Sequence, residues 1–117
     1  MKVVYIAGPF RADNAWEIEQ NVRRAEELSL EVWRLGFVAL CPHTNTRFFQ
    51  GAADDDVWLR GYLELVVRSD AVLVVQGWEN SSGAQAEAKL AAVHNIPIFY
   101  TTEELVDWFR GKWASKA

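Results

Sequence analysis

Four short apolar runs, rich in β-branched residues and separated by helix-forming stretches, restrict this chain to few architectures. They occupy residues 3–7, 37–41, 71–75 and 96–100. They lack the apolar-polar alternation of a strand with one wet face, so each is predicted to be a strand covered on both sides. Strands of that kind belong to parallel sheets with helices on both faces. The first run, Val-Val-Tyr-Ile-Ala, is closed by Gly8-Pro9 and the second by Pro42, both turn signals. Ile18, Val22, Ala25, Leu28, Val32 and Leu35 recur at three- and four-residue steps, an apolar stripe on a helix that Gly36 ends. Leu59, Leu63, Val66 and Val67 place a second helix at residues 57–68, and an Ala-rich third spans 83–94 with Ser81 or Ser82 as its N-cap. Thr102 is expected to cap a last helix carrying Leu105, Val106, Phe109 and Trp113. The prediction is an α/β fold: an open, mostly parallel sheet of four or five strands sandwiched between helices, with right-handed crossovers.

With 117 residues the chain is expected to be one domain, residues 1–117, built on one core. Half of the residues are apolar and 24% are charged, which excludes disordered and collagen-like chains. The formal charge is −4 and Lys and Arg form no cluster, so no polynucleotide partner is expected. Cys41, the single cysteine, cannot pair internally, and the N-terminus runs into a strand pattern without a signal-peptide cleavage region; both are expected of a protein in a reducing cytoplasm. No apolar run approaches the about 20 residues of a membrane span, so no membrane partner is expected.

In sheets of this type, Rossmann-like and flavodoxin-like alike, ligands bind beyond the carboxyl ends of the strands, where strand order reverses. That rule selects three loops, at residues 8–14, 42–56 and 76–87. No G-x-G-x-x-G follows the first strand and no G-x-x-x-x-G-K-[ST] occurs, so neither a dinucleotide cofactor nor a Walker-type phosphate cradle is expected. Ala7, Gly8 and Pro9 stand where a phosphoacceptor domain would need acids. His43, Cys41 and His94 lack zinc-ligand spacing, and no metal is expected. What remains is Gly77-Trp78-Glu79-Asn80-Ser81-Ser82-Gly83-Ala84-Gln85-Ala86-Glu87. If the helix starts near Ser82, then Ser81, Ser82 and the Gly83 amide lie at its positive end, where unpaired N–H groups hold an anion such as phosphate. Glu87 falls about one turn further on, toward the same cleft. The competing reading makes Ser81 a plain helix cap and Glu87 a favourable acid near a helix start.

Tyr5-Ile6-Ala7-Gly8-Pro9-Phe10-Arg11 combined with Ser81-x-Gly83-x-x-x-Glu87 resembles the nucleoside 2-deoxyribosyltransferase superfamily, including its 2'-deoxynucleoside 5'-phosphate N-hydrolase branch. The resemblance covers nearly the whole chain, including Pro42-His43-Thr44-Asn45, Ser69-Asp70-Ala71 and Gly77-Trp78-Glu79. It implies that Glu87 is the nucleophile and that the helix start lies beside the sugar's 5' end. Free-nucleoside transferases resemble this pattern with Asp in place of Ser81, so the serine points to a nucleoside monophosphate. The family often has an acid where this chain has Tyr62, eight residues ahead of Asp70, and a tyrosine with an ordinary pKa of about 10 is a poor proton donor at neutral pH. Asp54, Asp55, Asp56, Glu64 and His43 are possible substitutes, although the Asp run also reads as a solvated helix start. Asp70 reads as structural, at the turn into the third strand.

The chemistry suits these residues. Cleaving an N-glycosidic bond passes through an oxocarbenium-like state that a carboxylate stabilises or traps. Water then completes hydrolysis, and a second base completes transfer. Tyr5 either orients that carboxylate or is a core tyrosine. The first loop, with Gly8, supplies substrate contacts: Arg11 pairs with phosphate or is plain surface. Phe10 and Trp78 sandwich the base or belong to the core. His43 and Asn45 read the base edge or shape a turn. The expected function is deoxyribosyl transfer or N-glycosidic cleavage on a nucleoside or nucleotide; the alternatives are a non-catalytic nucleotide or sugar-phosphate binder of the same fold, and an interaction module. Trp108 and Trp113 suggest a face for a homo-oligomer.

Overall fold

Side chains alternate along a strand, and in this chain both sets are apolar, so the central strands must be clothed on two sides. A computed structural model describes residues 1–111 and shows how that is done. Strands β1 (Val3–Ala7), β2 (Val38–Leu40), β3 (Ala71–Val74) and β4 (Ile98–Phe99) form one parallel sheet in the order β2-β1-β3-β4. Val4 stands between Ala39 and Ala71, and Tyr5 between Leu40 and Val72. One face, with Val4, Ile6, Ala39 and Leu73, packs on Ala25 and Val32 of helix α1 (Ala15–Arg34) and on Leu105 of the C-terminal helix. The other, with Tyr5, Ala7, Val72 and Val74, packs on two helices that follow β2 and β3. Burying each such aliphatic side chain contributes about 1.5–3 kcal/mol. The result is the α/β three-layer sandwich that the apolar runs predict.

The loop predicted at residues 42–56 is not wholly irregular: Pro42–Asn45 forms a one-turn helix, α2. Pro42 occupies its first turn, where a fixed φ and a missing N–H cost nothing. Helix α3 runs Asp55–Val67 and α4 runs Ser82–Val93. Asp55 and Asp56 lie in the first turn of α3, where the helix dipole favours acids. β1 fills its apolar run, whereas β2, β3 and β4 are shorter than theirs. The last helix, α5 (Thr102–Phe109), corrects the expected cap. Thr101 is the N-cap, and its side chain and that of Glu104 satisfy each other's backbone amides in a capping box. Trp108 is half-buried against the core, 5.5 Å from the Phe99 ring and beneath the Lys2 ammonium; Trp113 lies outside the described residues. Asp70 accepts the Val3 amide proton at 2.7 Å and closes the sheet's amino edge, a structural role.

Among the described residues no helix is long and apolar enough to cross a membrane.

Candidate active site

The chain leaves β1 toward β2 on one side, then crosses back over β1 to reach β3. The segments after β1 and β3 therefore part company at the carboxyl edge, the position at which such sheets bind ligands. They part from a point of very close contact. The Val75 amide donates to the Ala7 carbonyl at 2.8 Å, and a Cβ on Gly8 would lie 2.6 Å from the Val75 Cβ. Gly8 is thus required by packing between the two strands, whatever else the first loop does.

Tyr5 points from β1 into the α3/α4 layer, and Glu87 comes to meet it from the second turn of α4. The Tyr5 hydroxyl donates a hydrogen bond to Glu87 Oε2. Tyr5 is fully buried and Glu87 is 8% exposed, with no cation in contact with the carboxylate among the described residues. Burial pushes the Glu87 carboxyl up to about 7, partly offset by the tyrosine hydrogen bond. Burial first, and then the neighbouring carboxylate, raise the Tyr5 phenol, which stays a proton donor to the acid.

The start of α4 lies at the same edge. Ser81 is its N-cap and accepts from the Ala84 amide at 3.2 Å, so its side chain caps the helix. The amides of Ser82 and Gly83 make no backbone hydrogen bond among the described residues. Gly83 is not required by the fold: its φ is not positive, and an added Cβ would approach only Ser81 Oγ, at 3.9 Å.

On the β2 side, His43 is buried and its Nε2–H donates to the Pro9 carbonyl at 2.8 Å. Burial lowers its pKa, with the Pro9 and Gly8 carbonyls opposing, so the ring is neutral and Nδ1 is a bare acceptor. Phe10 stands edge-on to His43, 5.8 Å between centroids, and its carbonyl accepts from Asn21 at 3.0 Å. Asn45 reaches the Tyr62 hydroxyl at 3.3 Å, and that hydroxyl donates within 2.8 Å of Thr46 Oγ1 and 3.2 Å of the Pro42 carbonyl. Tyr62 therefore ties α3 to the α2 turn. Arg11 is exposed and paired with Asp55, Asp56 with Arg60, and Glu64 with Arg68, so each of these candidate acids holds a surface cation. Trp78, in a single 3-10 turn (Trp78–Asn80), faces Tyr100 at 6.1 Å. Phe10 and Trp78 thus each have their own aromatic neighbour.

Residues 2–100 match the family described as a domain of unknown function, DUF4406. The chain belongs to that family. A 2-deoxyribosyltransferase from the psychrotolerant bacterium Bacillus psychrosaccharolyticus is similar in structure, with a TM-score of 0.59 and 18% identity over 82% of this chain and 69% of that one. The likeness shows a shared fold. No curated protein matches the chain.

All the site residues singled out in the sequence fall within the DUF4406 segment. One neighbour was not among them. Trp58, at the start of α3, packs against the cluster that holds Tyr5, Tyr62 and Val74, and its indole Nε1 is buried without a partner. Position alone distinguishes it from the other tryptophans, and position is not visible in a linear pattern.

Proposed function

We propose that this DUF4406 domain cleaves or exchanges the N-glycosidic bond of a 2'-deoxynucleoside or its 5'-monophosphate, with Glu87 as nucleophile. The observation that carries this is the buried Tyr5–Glu87 pair at the point where the chain segments leaving β1 and β3 diverge. A carboxylate with no cation beside it is free to bond to an electron-deficient sugar carbon, and the phenol fixes which oxygen is presented. A carboxyl near pKa 7 is half ionised at neutral pH, so the nucleophilic form is present. The amides of Ser82 and Gly83 would receive the 5' phosphate, and the absence of a side chain at 83 leaves room for it. Release of the base is followed by attack of water, giving hydrolysis, or of a second base, giving transfer. The likeness in fold to a 2-deoxyribosyltransferase supports the same reading. The protein is expected to act as a single domain in the cytoplasm, on a small molecule.

Incubation with the common deoxynucleosides and their 5'-monophosphates, with chromatographic detection of free base, tests the proposal. Base should appear from at least one of them and vanish in Glu87→Gln. The tied Tyr62 hydroxyl favours a second reading, a binder without turnover: tight nucleotide binding with no base released from any substrate would select it.

A further inference from the structure

Among the described residues, two buried side-chain atoms able to hydrogen-bond have no partner: His43 Nδ1 and Trp58 Nε1. Folded proteins rarely leave such atoms unpaired without a reason. Both lie on segments that follow β2 at the carboxyl edge of the sheet, His43 in the α2 turn and Trp58 in the first turn of α3. Trp58 sits one turn before Tyr62 on α3 and on the same side of the helix. Phe49 covers part of it, 5.7 Å between ring centroids, and the Tyr5 cluster lies beneath. An indole N–H only donates, and it does so at every working pH. The Tyr62 hydroxyl is already committed to the α2 turn, so it is not the donor a departing base requires.

We propose that Trp58 binds the leaving base, its indole N–H donating to a ring nitrogen or carbonyl oxygen of that base; this rests on the function proposed above. As the C–N bond breaks, its electron pair passes to the base and the Glu87 carboxylate bonds to the sugar carbon. The indole keeps its proton and stabilises the negative charge gathering on the base, and the proton that neutralises the released base comes from water. The site thus replaces a general acid with a fixed hydrogen bond, a substitution that preorganised donors make effective in a dry pocket.

The test uses 15N-labelled Glu87→Gln protein, which binds without turning over, and follows the tryptophan indole N–H signals. The Trp58 signal is assigned by its loss in Trp58→Phe, or in Trp58→Tyr should the phenylalanine variant misfold. A deoxynucleoside monophosphate should move that signal downfield, and 2-deoxyribose 5-phosphate, which lacks the base, should not. With Glu87 intact, Trp58→Phe should keep the melting temperature and lose about tenfold or more in kcat. Nucleotide that shifts the Gly83 amide but leaves the Trp58 signal still overturns the inference and spares the proposed function. So does full turnover by Trp58→Phe, or a loss of melting temperature with turnover kept. Protein to which no nucleotide binds overturns both.

Discussion

Glu87 sets the pH behaviour of the molecule. Its carboxyl has an ordinary pKa of 4.5 and is held near 7 in the folded chain. Between those values the folded state binds more protons than the unfolded one, so stability falls as pH rises through that window. The full effect is about 3 kcal/mol. Glu87→Gln should abolish this slope, and urea melts at about pH 5 and about pH 8 should show the variant gaining on the parent at the higher pH. Turnover has the opposite sign, since the nucleophile must be ionised: the rate should rise with pH through an apparent pKa near 7. Tyr5→Phe removes the hydrogen bond that lowers that value, and should move the rising limb to higher pH. Gly83→Ala separates fold from site in another way. It should stabilise the protein by up to about 1 kcal/mol, since nothing in the chain blocks the methyl group. Calorimetry should nevertheless find 2-deoxyribose 5-phosphate binding weakened about tenfold or more.

At the level of elements, the linear pattern was informative where one face decided the matter. The α1 stripe and the fully apolar β1 and β3 runs gave their elements directly, because no other arrangement hides those residues. Ends were harder to place. Two adjacent threonines, Thr101 and Thr102, stand at the start of α5, and only the glutamate three residues after Thr101 identifies the cap. The α2 turn was signalled by a proline at its start, a cue as easily read as the end of a strand. Within the site, Glu87 stood out through the resemblance to the deoxyribosyltransferase superfamily, and Tyr5 was open between a partner of that acid and a core tyrosine; the fold pairs the two side chains. The split of Phe10 toward His43 and Trp78 toward Tyr100 depends on backbone paths no local window contains. The contact between β1 and β3 makes its own prediction: Gly8→Ala should cost about 1–3 kcal/mol in chemical melts.

Across the whole molecule, the sheet separates two cores, one against α1 and α5 and the other against α3 and α4, and the candidate site opens at the carboxyl edge of the second. A ligand held there links the β1 and β3 loops to α4. At a concentration a hundredfold above its dissociation constant it should stabilise the fold by about 2.7 kcal/mol, read as a rise in melting temperature. Asp70 ties the opposite edge shut through the Val3 amide. The strand order has a consequence for biogenesis. β1, the earliest of the four strands to be synthesised, ends up flanked on both sides by strands made later. Until β3 has emerged from the ribosome, the nascent chain carries an oily ribbon with an open flank, and chaperone dependence should be greatest at that stage.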